Sequence, residues 1–201
     1  MEFQNAIVLT GGIATGKSSV CSLLNLYGFK IIDADKIAHT MLDRNAEKIA
    51  GLFGSEFVLE GKVDRKRLGT VIFSDEQARA QLEGLLHPLI KEEIISQSTL
   101  CETKEIPYIV DIPLFYEKSN YPIDEVAVVY CTPQQQIVRL VDREGYTEEE
   151  AQKRIAAQMP IDAKREKASF VIDNTQNLKH LQKEVDRFTG YIKQKYPAIK
   201  L

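Results

Sequence analysis

Cysteines are scarce in this sequence, and they lie too far apart to form a recognisable motif. The 201 residues include only Cys21, Cys101 and Cys131, with no C-x-x-C pair. An odd, scattered set argues against a disulfide framework and against a zinc site. We therefore expect reduced, mostly buried thiols in a cytoplasmic protein, because disulfides persist mainly in oxidising compartments.

Long apolar runs, a basic N-terminus and a strong excess of either charge are also missing. The first apolar run covers only residues 6–9 and follows Glu2, unlike a signal peptide. No apolar stretch approaches the roughly 20 residues of a membrane-spanning helix. The formal net charge is −3, so neither nucleic acid nor an anionic membrane is the expected partner.

The composition is the ordinary mixture of a globular protein, with 44% hydrophobic and 27% charged residues. A chain of this length buries a sizeable core without help from a metal or a disulfide. One domain with an insertion is the simplest organisation, as a monomer or a small homo-oligomer.

Strand-like and helical segments alternate along most of the chain. Short apolar runs predict buried strands at residues 6–10, 29–32, 106–111, 126–131 and 170–173. Helical spacing of apolar residues predicts helices at residues 17–27, 134–143, 148–159 and 178–196. The alternation predicts an α/β fold with a mostly parallel, five-stranded sheet, in which ligands bind beyond the carboxyl ends of the strands.

Residues 36–104 differ because they are mostly helical in pattern and contain no strong strand. A long amphipathic helix is predicted at residues 78–100, and Pro88, directly after His87, should kink it or split it in two. The predicted organisation is a core of residues 1–35, 105–135 and 167–201, a helical insertion of residues 36–104, and a lid region of residues 136–166.

A phosphate-binding motif follows the first predicted strand. The pattern G-x-x-x-x-G-K-[S/T] is matched in full by Gly11-Gly12-Ile13-Ala14-Thr15-Gly16-Lys17-Ser18. The strand before it and the helix after it make a chance glycine turn the weaker interpretation. The loop N–H groups and the helix N-terminus should bind the phosphates of ATP, with Lys17 on the β- and γ-phosphates. Ser18 is the expected ligand of Mg²⁺, and Ser19 the support for the α-phosphate end.

A P-loop alone does not separate kinases from other nucleotide-binding proteins. No N-K-x-D guanine motif and no D-x-x-G switch after a strand occur, and the chain is short for a motor. Asp33 ends the second predicted strand, which we expect directly beside the P-loop strand, and can accept the proton of an attacking hydroxyl. Asp33 or Asp35 can equally cap the helix that starts near Lys36. We favour Asp33 as the base and Asp35 as a cap or substrate ligand.

Further charged residues follow other predicted strands. Asp111 ends the third strand and can hold Mg²⁺ through water or cap the turn before Pro113, and the residues alone leave both possibilities open. Arg139 and Arg143 share one face of a charged helix, at the i, i+4 spacing. A lid that closes on ATP and stabilises the transferring charge would use such a face. Arg154 is more simply a solvated residue.

Beyond these motifs, the chain resembles the dephospho-CoA kinase family almost from end to end. The matching blocks are residues 10–18 (TGGIATGKS), 32–39 (IDADKIAH), 63–65 with Leu68, 82–83 with 87–90 (HPLI), 113–117 (PLFYE), Arg139 and Arg143, and 154–159 (RIAAQM). The D-A-D-x-I-A-H and H-P blocks are much more specific than the P-loop, and their order and spacing leave little room for another kinase.

The resemblance implies ATP-dependent phosphorylation of the ribose 3′-hydroxyl of 3′-dephospho-CoA, which gives CoA and ADP in the last step of coenzyme A biosynthesis. It also implies a nucleoside-kinase-like P-loop core, a substrate-binding helical insertion and a lid. In the family, the aspartate that matches Asp33 is the proposed base, and Arg65 and His87 would lie in or near the dephospho-CoA pocket. Spacing alone would make His87 a helix-kink residue.

Three short stretches depart from the family pattern. The usual L-L-F-E, A-D and N-x-G read Leu114-Phe115-Tyr116-Glu117, Ala168-Ser169 and Asn174-Thr175-Gln176. Because the last glycine is missing, the resemblance does not define the adenine-side turn. Two alternatives to this function are another P-loop kinase, acting on a nucleoside, nucleotide or sugar acid, and a non-catalytic nucleotide-binding protein. The intact Lys17, Ser18 and Asp33 argue against the second.

Overall fold

The computed structural model describes residues 2–118 and 121–197. Its strands are β1 (Ala6–Gly11), β2 (Ile31–Asp33), β3 (Val58–Leu59), β4 (Lys62–Val63), β5 (Tyr108–Asp111), β6 (Val126–Tyr130) and β7 (Phe170–Asp173). Its helices are α1 (Lys17–Leu26), α2 (Ala34–Arg44), α3 (Ala46–Phe53), α4 (Arg65–Ser74), α5 (Glu76–Glu102), α6 (Phe115–Lys118), α7 (Pro133–Glu144), α8 (Glu148–Ala156), α9 (Ile161–Glu166) and α10 (Leu178–Lys195), with a short 3-10 helix at Ser55–Phe57. No described helix is both long and apolar enough to cross a bilayer.

Five strands form one sheet in the order β2-β5-β1-β6-β7, which confirms the predicted α/β fold with a five-stranded sheet. β1 runs parallel to β5 and to β6, with Leu9 opposite Asp111 on one side and Ala127 on the other. β6 runs parallel to β7, with Tyr130 opposite Asp173. Because parallel strands end at the same edge of a sheet, the loops after β1, β5, β6 and β7 meet there.

The position of β2 differs from the prediction. The sequence argument placed the strand that ends at Asp33 directly beside β1, but β5 lies between the two strands. All four residues of β5 are buried, whereas only Ile32 is buried in the three-residue strand β2. A strand buried on both faces belongs inside a parallel sheet. β5 therefore takes the inner place although it comes later in the chain.

The main core lies between the sheet and two helices, α1 and α10. Its buried residues are Ile7, Leu9, Val20, Leu24, Phe29, Ile109, Ala127, Val129, Phe170, Ile172, Leu181, Val185, Phe188 and Ile192. In α10 the buried residues recur every three or four positions from Leu181 to Ile192, as predicted for one apolar face. This packing holds α1, and with it the end of the loop that precedes α1, against the sheet.

Residues Asp33–Gln97 form one compact unit, and the remaining described residues form another. The smaller unit contains an antiparallel hairpin of β3 and β4, which the predicted helical insertion did not include. Glu60 and Gly61 form its turn with positive φ values of 51° and 77°, as tight two-residue hairpins require. Strands of two residues are too short for apolar alternation to reveal.

The predictions for two further helices have different outcomes. α5 runs without a break from Glu76 to Glu102 with Pro88 inside it, so of the two predicted effects of the proline, a kink or a split, the split did not occur. About three to four helical turns on each side of the proline keep both halves helical, although one hydrogen bond is lost. α8 ends at Ala156, and the separate helix α9 follows Pro160, where no helix was predicted.

Candidate active site

The phosphate-binding loop connects the buried end of β1 to the first residue of α1. Gly16 precedes α1 with a left-handed backbone, at a φ of 95°, and a Cβ atom there would lie only 2.1 Å from Nδ2 of Asn174. Ala14 also has a positive φ, of 60°. Left-handed residues in a loop turn successive N–H groups towards one side, where they can bind an anion. Glycine is therefore required at Gly16 by both the backbone angle and the available space.

Two glutamine side chains hold the tip of the loop. The N–H of Ile13 donates to Oε1 of Gln158, which follows α8, at 2.8 Å. The carbonyl of Ile13 accepts from Nε2 of Gln136, on α7, at 2.7 Å. Gln136 is only 2% exposed. Both backbone polar groups of Ile13 are thus fixed by side chains from distant parts of the sequence.

Arg139 and Asn174 hold the second half of the loop. The guanidinium of Arg139 donates to the carbonyls of Ala14 and Thr15, at 3.3 Å each. Another of its N–H groups donates to the carbonyl of Asn174 at 2.7 Å. The side-chain amide of Asn174 donates in turn to the carbonyl of Thr15 at 2.8 Å. A planar guanidinium with several fixed donors suits this role, and it joins α7 and the turn after β7 to the loop.

Lys17 and Asp111 form an ion pair at the carboxyl end of the sheet. Their Nζ and Oδ1 atoms are 2.5 Å apart, and the side chains are 17% and 7% exposed. The second carboxylate oxygen, Oδ2, accepts a hydrogen bond from Sγ of Cys21 at 3.3 Å. Ser18 and Ser19 lie exposed in the first turn of α1. A cation suited to phosphate oxygens and a carboxylate suited to a divalent metal therefore lie side by side.

Comparisons with known proteins identify the family to which this chain belongs. The family model described as dephospho-CoA kinase matches residues 5–180. This chain belongs to the dephospho-CoA kinase family. The dephospho-CoA kinase of Sulfurimonas denitrificans is 47% identical, with 98% of each chain covered. The solved dephospho-CoA kinase of Campylobacter jejuni is 35% identical with a TM-score of 0.74, covering 95% of this chain and 98% of its own.

Membership of the dephospho-CoA kinase family confirms the resemblance predicted from the sequence. The family consists of transferases that catalyse the last step of CoA biosynthesis, and ATP is the co-substrate that a kinase implies. The predicted P-loop kinase fold is confirmed by the same comparisons. The roles of individual residues remain predictions.

The predicted base of this dephospho-CoA kinase family member caps a helix. Within the Asp33–Gln97 unit, Oδ1 of Asp33 accepts the N–H of Lys36 at 2.9 Å, and Oδ2 lies 3.3 Å from the Nζ atom of Lys36. Asp33 is therefore the N-cap of α2, and Asp35 lies exposed in the first turn rather than at the cap. The side chain of Asp33 remains 24% exposed, so capping does not bury its carboxylate.

Three other predicted residues lie on exposed helix positions. Arg65 begins α4 and His87 lies within α5, both in the Asp33–Gln97 unit. Arg143 lies in the last turn of α7 with 71% of its side chain exposed, and its guanidinium pairs with Glu144 at 2.7 Å. Arg139 contacts the loop, whereas Arg143 contacts its own neighbour, although the two residues share the predicted helix spacing.

Two buried side chains at the site were missed from the sequence. Gln136 lies three residues before Arg139 on α7, so it shares that face of the helix, which is the signal that could have found it. Lys164 lies in α9, a helix that the apolar pattern does not predict, and its side chain is 0% exposed. Nothing in the local sequence separates Lys164 from an ordinary solvated lysine.

The turn after β7, which lacks the family glycine, is held by side chains. The N–H of Thr175 donates to Oδ1 of Asp173 at 2.9 Å, and the carbonyl of Thr175 accepts from Nε2 of Gln135 at 2.7 Å. The N–H of Asn174 donates to the carbonyl of Tyr130 at 2.7 Å. These bonds define the turn and keep Asn174 against the phosphate-binding loop.

The three cysteines form no disulfide bond, as expected. Cys101 and Cys131 are buried, and Cys21 is partly buried. Sγ of Cys131 lies 3.9 Å from the carbonyl of Ala14 in the loop. Burial raises the pKa of Cys131 to about 11, so this thiol stays protonated near neutral pH and is a poor nucleophile there.

Proposed function

We propose that this chain transfers the γ-phosphoryl group of ATP to the ribose 3′-hydroxyl of 3′-dephospho-CoA, giving CoA and ADP. The observation that carries the proposal is the ion pair of Lys17 and Asp111 beside the P-loop, in a chain of the dephospho-CoA kinase family. Such a pair supplies the two charges that phosphoryl transfer needs at the nucleotide, one for the phosphates and one for the metal.

ATP binds in this proposal with its phosphates over the loop from Gly12 to Ser19. The N–H groups of the loop and the N-terminus of α1 offer a positive end to the anion. Lys17 exchanges its contact with Asp111 for the β- and γ-phosphate oxygens.

Mg²⁺ is the proposed metal, held by the hydroxyl of Ser18 and, through water, by Asp111. The donors fit this ion, because Mg²⁺ prefers oxygen ligands and takes only one or two protein groups together with the phosphates. The hydroxyl of Ser18 is in an exposed first turn, and Asp111 ends β5. When bound, the metal supplies positive charge that stabilises the transferring phosphoryl group.

Asp33 is the proposed general base. The 3′-hydroxyl oxygen attacks the γ-phosphorus while Asp33 accepts its proton, and the bond to the β–γ bridging oxygen breaks to release ADP. Arg139 and Arg143, in the proposed lid of residues 136–166, stabilise the negative charge on the transferring group. The contacts of Arg139 with Ala14 and Thr15 support its part in this role.

Asp35, Arg65 and His87 are the proposed ligands of dephospho-CoA. All three are exposed and belong to the Asp33–Gln97 unit, within the proposed substrate-binding insertion of residues 36–104. Arg65 suits an anionic acceptor, because a guanidinium binds phosphate oxygens with two donors at once. We further propose a cytoplasmic monomer or small homo-oligomer that uses neither nucleic acid nor membrane as a partner.

A panel of acceptors tests the proposed function. ADP release is followed with ATP and Mg²⁺ for dephospho-CoA, for nucleosides and nucleoside monophosphates, and for a sugar acid. We expect turnover with dephospho-CoA at a kcat/KM at least about 100-fold above every other acceptor, since unpaired polar groups in the site reject the wrong substrate. Turnover of a nucleoside monophosphate together with none of dephospho-CoA would contradict the proposal.

A further inference from the structure

Lys164 is a completely buried lysine below the phosphate-binding loop. Its side chain is 0% exposed, and its ammonium group donates to the carbonyl of Gly11 at 3.1 Å and to that of Pro113 at 3.2 Å. Its third partner is Oε1 of Glu117 at 2.8 Å. Burying a charge without partners is very costly, so these three contacts determine where Lys164, and the backbone it holds, can lie.

Glu117 connects Lys164 to the segment that follows α8. The same Oε1 atom accepts the N–H of Met159 at 2.9 Å. The other carboxylate oxygen, Oε2, is buried and has no hydrogen-bond partner in the described part of the chain. The side chain of Glu117 is only 17% exposed. Glu117 therefore has little freedom to move without changing the position of Met159.

Met159 directly follows Gln158, whose side chain accepts the N–H of Ile13 at 2.8 Å. A closed path of contacts results: Gly11 to Lys164, Lys164 to Glu117, Glu117 to Met159, and Gln158 back to Ile13. Gly11 and Ile13 lie two residues apart, one on each side of Gly12. The first part of the P-loop is thus held at two points by one connected group of side chains, of which Lys164 is fully buried and Glu117 and Gln158 are partly buried.

We propose that Lys164 is a positioning residue for nucleotide binding, which acts through Glu117 and Gln158 to hold the P-loop in its phosphate-binding shape. The inference rests on the proposed function and deepens it. A loop whose N–H groups are already oriented binds an anion without the cost of ordering them. Lys164 itself lies under the loop backbone and is not assigned a contact with the substrate.

A purely structural role for the pair is the competing explanation, and the two roles respond differently to substitution. Removing one partner of a buried ion pair leaves an uncompensated charge and is strongly destabilising, whereas replacing both by apolar groups of similar size is often neutral. The double variant Lys164→Met/Glu117→Met should therefore regain stability. It cannot regain the hydrogen bonds to Gly11 and Met159.

The experiment compares the full chain with Lys164→Met, Glu117→Met and the double variant. The matched control is Lys153→Met/Glu149→Met, which removes an exposed pair on α8 with a similar spacing of 2.7 Å and with 74% and 77% exposure. ADP binding is measured by calorimetry and unfolding by a thermal melt. KM for ATP and KM for dephospho-CoA are measured in the coupled assay.

We expect the single variants to melt earlier, and the double variant to melt close to the wild type while binding ADP about tenfold more weakly, which corresponds to about 1.4 kcal/mol. KM for ATP should rise in parallel and KM for dephospho-CoA should not. A double variant that melts like the wild type and binds ADP with unchanged affinity would overturn the inference.

If the double variant does not fold, the variant Gln158→Ala tests the inference instead. The side chain of Gln158 is partly buried, and its truncation removes only the last contact of the path. Unchanged ADP affinity in that variant would also overturn the inference, and weaker affinity would support it. The wild type separates the two proposals. If it binds ADP but does not phosphorylate dephospho-CoA, the proposed function fails, while the positioning inference still stands or falls on the ADP affinities.

Discussion

The residues proposed to act in the reaction are held differently in the phosphate-binding loop and in the Asp33–Gln97 unit. Around the loop, Lys17, Asp111 and Asn174 are largely buried and held by short polar contacts. In the other unit, Arg65 and His87 lie exposed on helices. Long exposed side chains lose up to about 2 kcal/mol of rotamer entropy when they become ordered. Lys17, Asp111 and Asn174 are therefore largely held in place before the proposed binding of ATP, whereas the proposed acceptor contacts form at a cost when the substrate arrives.

The largest effect is expected from Lys17→Ala, because it removes the cation that is proposed to bind the β- and γ-phosphates. Transfer to dephospho-CoA should fall by about 1000-fold or more in kcat/KM, the scale of losing a group that stabilises transition-state charge. The measurement is the coupled ADP assay, with the exposed Lys153→Ala as control. Activity near the wild-type value would show that Lys17 does not act on the phosphates.

The variant Asp33→Asn distinguishes the proposed role of Asp33 as general base from its role as the N-cap of α2. Asparagine is about as good an N-cap as aspartate, so the thermal melt should change little. Loss of the base should lower kcat by about 100-fold or more, with ADP affinity unchanged. Full transfer activity in this variant would show that Asp33 is only a helix cap. The Asp33–Gln97 unit would then not supply the base through this residue.

The variant Gly16→Ala tests how closely the phosphate-binding loop packs against Asn174. A side chain at this position meets a positive φ and the amide of Asn174 at 2.1 Å, so we expect a loss of about 1–3 kcal/mol in stability and weaker ADP binding. Gly190→Ala is the matched control, because its α10 position has open space and alanine favours a helix. Equal melting of the two variants would contradict the tight packing of the loop.

Arg65→Ala and His87→Ala should give the smallest and most selective effects. Each should raise KM for dephospho-CoA by about tenfold, roughly the value of one hydrogen bond to a charged group, and leave ADP affinity unchanged. Exposure of both side chains predicts no loss of stability. Lys66→Ala, an exposed neighbour on α4, serves as control. A change in ADP affinity instead would contradict the assignment of these two residues to the proposed acceptor site.

The same contrast explains what the sequence could and could not predict. The sheet and the P-loop depend on local patterns, since apolar strands and the spacing from Gly11 to Ser18 are visible in short windows. The inner position of β5 and the hairpin at Glu60 depend on contacts between distant segments or on strands too short to show a period. Lys164 is the clearest case, because its buried position depends on contacts with Gly11, Pro113 and Glu117, which lie far from it in the sequence.

The most direct test of the proposed reaction is the position of the transferred phosphate. Purified enzyme, ATP, Mg²⁺ and dephospho-CoA are incubated, and the product is examined by phosphorus NMR and mass spectrometry, with Asp33→Asn as a parallel sample. We predict a single new phosphomonoester on the ribose 3′-oxygen, which is CoA, together with an equal amount of ADP. ADP without CoA, or a phosphate at any other position of the acceptor, would contradict the proposal.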